Sequence, residues 1–249
     1  MRLTDKVLVV TGGARGIGRG VALRAAAEGA AVVIGDLLDS TETVEQIVGA
    51  GGQAHGVAMD VRSADDWQRL VDEALRRHGR IDLLGNVAGI VNHLGPDTVV
   101  ELTEEGWEEV IGTDLKGVWL GMRAVIPHMI DNGGGRIVNI SSLAALRGLP
   151  NLAAYSAAKG GVAALTRQAA VEYAPRNVLV NAIAPGTVDT PILGDCTPED
   201  VEAFKAAHAI KRLGRPADIA AIAVTFFAPD DGSWLTGQVM PVDGGWHVT

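Results

Sequence analysis

Residues 7–18 read Val-Leu-Val-Val-Thr-Gly-Gly-Ala-Arg-Gly-Ile-Gly, an apolar run that breaks into spaced glycines at Gly12, Gly16 and Gly18. The run has strand composition, and the helical pattern that follows lasts to about Gly29. Glycines at such a junction permit a tight turn, let backbone approach a pyrophosphate, and bring helix close to sheet. The helix start adds unpaired N–H groups and the positive end of its dipole. The same spacing also suits a purely structural turn. A strand before it and a helix after it are the context that phosphate binding needs, and both are present.

Outward from this unit, six more short apolar runs, at 31–34, 54–58, 83–87, 136–140, 179–183 and 239–242, alternate with longer helical patterns. That alternation predicts βαβ units, and runs apolar on both faces predict strands covered on both sides. The expectation is one α/β domain over residues 1–249, a Rossmann-type doubly wound parallel sheet of about seven strands with helices on both faces. Helix starts are marked at Ser63 with Asp66 behind it, at Thr103 before Glu104 and Glu105, and at Thr197 before Pro198 and Asp200. Pro127 is expected to kink or end the helix that begins after Thr103. The stretch 186–215 is long and irregular apart from the signal at Thr197, which predicts a mobile lid over a site.

Composition narrows the partners. In 249 residues, 47% of them hydrophobic, there is ample material for a large core. The net charge of -9, with no Lys/Arg run longer than two, as at Arg76-Arg77, argues against nucleic acid and anionic membrane. The single cysteine, Cys196, has no internal disulfide partner, which suits a reducing compartment. The six histidines are scattered and form no metal-binding spacing, so no metal is expected. The start MRLTDK leads straight into a strand, with no signal-peptide pattern and no apolar stretch near ~18 residues. A soluble, cytoplasmic protein acting on a small molecule is the expectation.

Tyr155 and Lys159 stand one helical turn apart in YSAAK, with Ser142 upstream. A lysine beside a tyrosine favours the phenolate and brings it toward the range useful for proton transfer. Asp36, at the end of the second strand, offers a carboxylate to both ribose hydroxyls of an adenosine and repels a 2'-phosphate, which predicts NAD rather than NADP. Arg15 pulls the other way, since a guanidinium in the glycine loop suits a 2'-phosphate.

Together these residues resemble the short-chain dehydrogenase/reductase family over essentially the whole chain. TGGARGIG, with Ile17 in its last turn, is similar to the family's TGxxxGxG loop, and Asn86-Val87-Ala88-Gly89 to its NNAG motif. Ser142, Tyr155 and Lys159 match its catalytic serine and YxxxK. Asp60-Val61 resembles the pair lining the adenine pocket, with a turn before the Ser63 cap as its rival role. Asn181 and the following AIAPG, with Pro185, Gly186, Val188 and Thr190, resemble the segment that closes around nicotinamide; residues 236–245 resemble the family's last strand and turn.

The resemblance implies hydride exchange between a nicotinamide and a carbon bearing a hydroxyl or carbonyl. Tyr155 is then the acid/base, Ser142 holds the substrate oxygen, and Lys159 lowers the tyrosine pKa and holds the ribose. It also implies a homotetramer, and pocket walls near His93, Leu94, Leu143 to Arg147, Asn151, Leu152 and the stretch after Thr190. Two residues depart from the pattern. Val87 replaces an asparagine, and Asp114 stands where an asparagine completes the catalytic group, bringing a charge near Lys159 or, if buried, a proton of its own. The leading expectation is an NAD-dependent secondary-alcohol dehydrogenase or ketone reductase. The alternatives are an NADPH-dependent reductase of 3-oxoacyl thioesters and, from another class, a catalytically silent dinucleotide-sensing protein.

Overall fold

In the computed structural model, which describes residues 1–194 and 196–249, seven parallel strands form one sheet. They are β1 (Val7–Thr11), β2 (Ala31–Asp36), β3 (Gln53–Ala58), β4 (Leu83–Asn86), β5 (Gly135–Ile140), β6 (Val178–Pro185) and β7 (Val239–Val242). The order is β3-β2-β1-β4-β5-β6-β7, so the chain builds outward to β3 and then crosses back to β4. The crevice at the carboxyl ends of β1 and β4 is therefore the switch point where open α/β sheets hold ligands. β1 pairs with β2 from Val7 opposite Ala31 to Thr11 opposite Gly35, and with β4 from Leu8 opposite Leu83.

Among the described residues the α-helices are α1 (Gly16–Ala27), α2 (Thr41–Gly49), α3 (Ala64–His78), α4 (Glu104–Ile111), α5 (Gly117–Asp131), α6 (Ala153–Tyr173), α7 (Pro198–Ala207) and α8 (Pro216–Phe227). Alternate strand residues feed two cores. Leu8, Val10, Val32 and Ile34 face Val21, Ala25, Ile47, Val224 and Phe227 of α1, α2 and α8. Val9, Val33 and Leu84 face Trp67, Leu70, Val125, Met129 and Val162 of α3, α5 and α6. This two-sided burial is why the inner strands read as unbroken apolar runs.

The predicted caps form. Ser63 accepts from Asp66 N at 3.2 Å and Thr103 from Gly106 N at 3.1 Å. Thr197 and Asp200 cap each other across the first turn of α7. Pro127 does not end its helix, one of the two outcomes expected of it: α5 runs through it to Asp131. Its neighbours Val125, Ile126 and Met129 are buried in the second core, and that burial outweighs the roughly 3 kcal/mol cost of an interior proline. The irregularity lies upstream, where a π-helical turn, Gly112–Lys116, joins α4 to α5. Within 186–215 the chain forms a short 3-10 turn (Pro191–Leu193), then α7, and a bridge between Val188 and Gly214; residue 195 lies outside the described residues. No described helix is long and apolar enough to cross a membrane.

Candidate active site

The loop after β1 has no room for a side chain at Gly12 or Gly18. Gly12 has φ +70° and a Cβ there would sit 2.9 Å from the Ala88 backbone, while one on Gly18 would sit 2.0 Å from the Gly12 carbonyl oxygen. Helix α1 starts at Gly16 with no side-chain cap from Arg15, which leaves its first N–H groups for a ligand. Thr11 Oγ1 accepts from Val87 N at 3.1 Å and Ala88 N at 3.2 Å, tying the exit of β4 to that of β1. Asp36 accepts from Ala14 N at 2.8 Å and from Leu38 N at 2.9 Å, which fixes its carboxylate at the lip of the glycine loop.

A cleft of about 330 Å³ runs over this loop. Gly12, Arg15, Gly16, Ile17, Gly18, Asp36, Asp60, Val61, Ala88, Gly89 and Thr190 all line it. Asp60 is paired there with Arg62 at 2.7 Å. Six of the residues predicted to hold the cofactor are not on its wall: Tyr155 and Lys159, which lie beside it, and four others. Asn86 is buried and donates to Asn139 Oδ1 at 2.8 Å; Val188 is buried at its bridge to Gly214; Pro185 ends β6; and Gly186 packs against Asp243 and His208. The glycine cradle, the open helix start and the acidic lip together fit a dinucleotide: diphosphate on the N–H groups, ribose on Asp36.

Beside the cleft, α6 carries Tyr155 and Lys159 on one face, and Ser142 follows β5 at the same sheet edge. The Lys159 ammonium lies 5.5 Å from the centre of the Tyr155 ring, and Ser142 Oγ accepts from Ala144 N at 3.1 Å. Lys159 is only 2% exposed and Asp114 0%. The π turn presents the Asp114 carboxylate to the lysine: Oδ2 is 2.9 Å from Nζ, and Oδ1 accepts from Ile90 N at 2.8 Å. Nζ also donates to the Ile140 carbonyl at 3.1 Å. Gly89 completes the enclosure, since a Cβ there would lie 2.8 Å from Asp114 Oδ2 and 3.1 Å from Nζ.

Burial and charge compete in this cluster. Burial pushes Asp114 above the ordinary carboxylate value, against the pull of Lys159 and the Ile90 N–H. For Lys159, burial acts downward, but Asp114 and Tyr155 together outweigh it and hold the ammonium above its ordinary value. Tyr155 is raised, chiefly by burial and further by Asp114; Lys159 and Ser142 pull down without prevailing. The sequence expectation of a tyrosine lowered by its lysine is thus met in the sign of the lysine's own effect and reversed in the total.

The family model described as enoyl-(acyl carrier protein) reductase matches residues 12–247. The chain belongs to the short-chain dehydrogenase/reductase family. It is 38% identical, over 99% of its length and 98% of the relative's, to the 2,5-dichloro-2,5-cyclohexadiene-1,4-diol dehydrogenase LinX of Sphingobium indicum. It is 43% identical to the cis-4-hydroxycyclohexanecarboxylate dehydrogenase of Sinomonas cyclohexanicum, over 97% and 96%. The crystal structure of levodione reductase superposes with a TM-score of 0.92 at 33% identity, covering 99% of each chain. This short-chain dehydrogenase/reductase is therefore an oxidoreductase of CH–OH groups that uses a nicotinamide cofactor, NAD or NADP.

On the far side of Ser142 the enzyme has a second hollow, about 680 Å³, between Asp97 to Val99 and Ala144 to Ala153. Leu146, Arg147, Asn151 and Leu152 line it, whereas His93 lines the cleft over the glycine loop. Arg147 also turns to the C-terminal segment, donating to the Trp246 carbonyl at 2.7 Å with its guanidinium 5.9 Å from that ring. Trp246 in turn packs against His208 at the C-terminal end of α7, ring centres 5.1 Å apart.

Sequence reading missed three supports. Asp97, 5% exposed, accepts from Ala154 N at 2.9 Å and so anchors the start of the helix that carries Tyr155. Asn139 bridges Asn86 and Thr166 under the sheet edge. Ser141 donates to the Lys159 carbonyl at 2.9 Å. Only Asn139 left a signal, an amide inside the otherwise apolar run 137–140.

Proposed function

We propose that this enzyme is an NAD-dependent secondary-alcohol dehydrogenase, or ketone reductase, for small cyclic alcohols, with Tyr155 as the acid/base. The observation that carries the reading is the convergence of Ser142, Tyr155 and Lys159 at the same sheet edge as a glycine-loop cleft. Asp36 supports NAD, because its fixed carboxylate stands where a 2'-phosphate would bring like charge. Two relatives named as dehydrogenases of ring alcohols support the substrate class.

A bound nicotinamide supplies the hydride acceptor or donor. The chain's own residues handle position and proton. Gly12, Gly16 and Gly18 with the start of α1 hold the diphosphate, Asp36 the adenosine ribose, and Asp60 and Val61 the adenine end. Lys159 reaches the second ribose, and Pro185, Gly186, Val188 and Thr190 shape the nicotinamide end, with 186–215 as the lid. Ser142 donates to the substrate oxygen, and Tyr155 takes that oxygen's proton in oxidation or returns it in reduction. The enzyme acts in the cytoplasm as a homotetramer. The apolar face of Leu115, Trp119 and Leu165 on the π turn, α5 and α6 is one contact between copies, and sedimentation tests it.

The test is NADH formation at alkaline pH with primary alcohols, cyclic secondary alcohols and diols. Turnover concentrated in the cyclic secondary alcohols is expected. No turnover, or turnover confined to primary alcohols, overturns the reading. A reductase of 3-oxoacyl thioesters is the second reading, favoured by Arg15 at the cleft and by 37% identity, over 98% of this chain and 99% of the relative, to the 3-oxoacyl-[acyl-carrier-protein] reductase FabG of Thermotoga maritima. A marked preference for NADPH with such thioesters would establish it instead.

A further inference from the structure

The buried pair Asp114–Lys159 is the one feature of the site that its chemistry does not require. We propose that Asp114 is a positioning residue that sets the pH range of the reaction: as the built-in counterion of Lys159, it withholds the lysine's charge from Tyr155, which then yields its proton only at alkaline pH. The inference rests on Tyr155 being the acid/base and asks what governs it.

A buried ammonium needs a counterion, because leaving water is costly unless an opposite charge is close. In this site two groups can serve, the Asp114 carboxylate and the Tyr155 phenolate. Asp114 is already in place at 2.9 Å, and its other oxygen is held by the Ile90 N–H, so it cannot swing away without giving up a hydrogen bond. A compact ion pair presents Tyr155 with a dipole instead of a cation, and a dipole's attraction for a phenolate is weaker and falls off faster.

The surroundings add no other charge. From α6, Tyr155 itself faces the lysine; from the π turn, Asp114; from β5 and the turn after it, the Ile140 carbonyl and the neutral Ser142 hydroxyl; from the strand β4 exit, Gly89 and the Ile90 N–H. Among the described residues no other charged group bears on Tyr155 or Lys159. Replacing Asp114 by asparagine keeps the shape and the acceptor for Ile90. It makes the Tyr155 phenolate the only anion left for the ammonium, and the tyrosine should ionise more readily.

The chain holds two tyrosines, Tyr155 and Tyr173. In a Tyr173→Phe background the ultraviolet phenolate signal therefore titrates Tyr155 alone, with no substrate needed. A midpoint at or above the ordinary tyrosine value of about 10 supports the inference, and one below it overturns it. Asp114→Asn should lower that midpoint by about one pH unit or more, and should move the rise of alcohol oxidation with pH in the same direction. A smaller or opposite movement overturns the inference. A merely structural aspartate would lower turnover equally at every pH and leave the midpoint in place. If Asp114→Asn does not fold, Asp114→Ser in the same Tyr173→Phe background is read in its place, since burial alone already raises the midpoint. Because the titration is spectroscopic, failure of the alcohol panel would sink the proposed substrate class and leave this result standing.

Discussion

At the glycine loop the close approaches are backbone against backbone, with Gly18 under the Gly12 carbonyl and Gly12 against Ala88, whereas at the tyrosine they are charge against charge, with Asp114 2.9 Å from Lys159. The first region works by the absence of side chains. Its helix start carries no side-chain cap, and the charged residues Arg15, Asp36, Asp60, Arg62 and Glu109 sit at the cleft wall. The second region works by side chains whose charges are out of water. There the same residue types would behave differently if moved to the surface, because exposed pairs are screened and buried ones are not. The contrast teaches that the two halves should fail differently when altered.

The sharpest break is Tyr155→Phe. Turnover should fall roughly 10²–10⁴-fold, the usual contribution of a general acid/base, while the dissociation constant for NAD stays within about twofold. Initial rates of NADH formation and a binding titration check this together. Next comes Gly18→Ala, whose new methyl meets the Gly12 carbonyl; it should cost roughly 1–3 kcal/mol of stability and weaken the dinucleotide at the same time, seen in denaturant unfolding and the same titration. Gly49→Ala is its control, with nothing within 4 Å of the added carbon, and should gain about 0.5 kcal/mol.

Smaller effects sharpen the comparison. Asp36→Ser should move the NADP-to-NAD preference toward NADP by about tenfold, measured as the ratio of kcat/KM for the two cofactors, since one repulsive charge is removed. Thr197→Ala should be the mildest. It removes a cap worth about 1 kcal/mol from α7, a helix with no buried residue, so Tm should hold while KM for the alcohol rises a few fold.

Much of the frame was legible. Each of the seven strands lies where its apolar run predicts, with β2 extended to Asp36 and β6 to Pro185, because two-sided burial writes itself into the chain as hydrophobicity. The caps at Ser63, Thr103 and Thr197 were legible too, since a cap is a contact across one turn. Other features were not. The π turn at Gly112–Lys116 has no local sequence mark, and Pro127 looked like the break in that helix because the burial of Val125, Ile126 and Met129 is a long-range fact. Asp97 under Ala154, and Trp246 between Arg147 and His208, join residues far apart in the chain that no spacing rule links.

The glycine loop, the parallel sheet and the placement of Ser142, Tyr155 and Lys159 at one edge were determined by the sequence itself. They follow from sterics, periodicity and one helical turn, all of which act over short stretches of chain. Only the tertiary structure decided the electrical state of the site. Whether Lys159 lowers Tyr155 depends on how deeply both are buried and on what else stands beside the ammonium, and those depend on the π turn that sets Asp114 against it. Charge acts through distance and dielectric, and both are properties of the packed molecule rather than of the order of its residues.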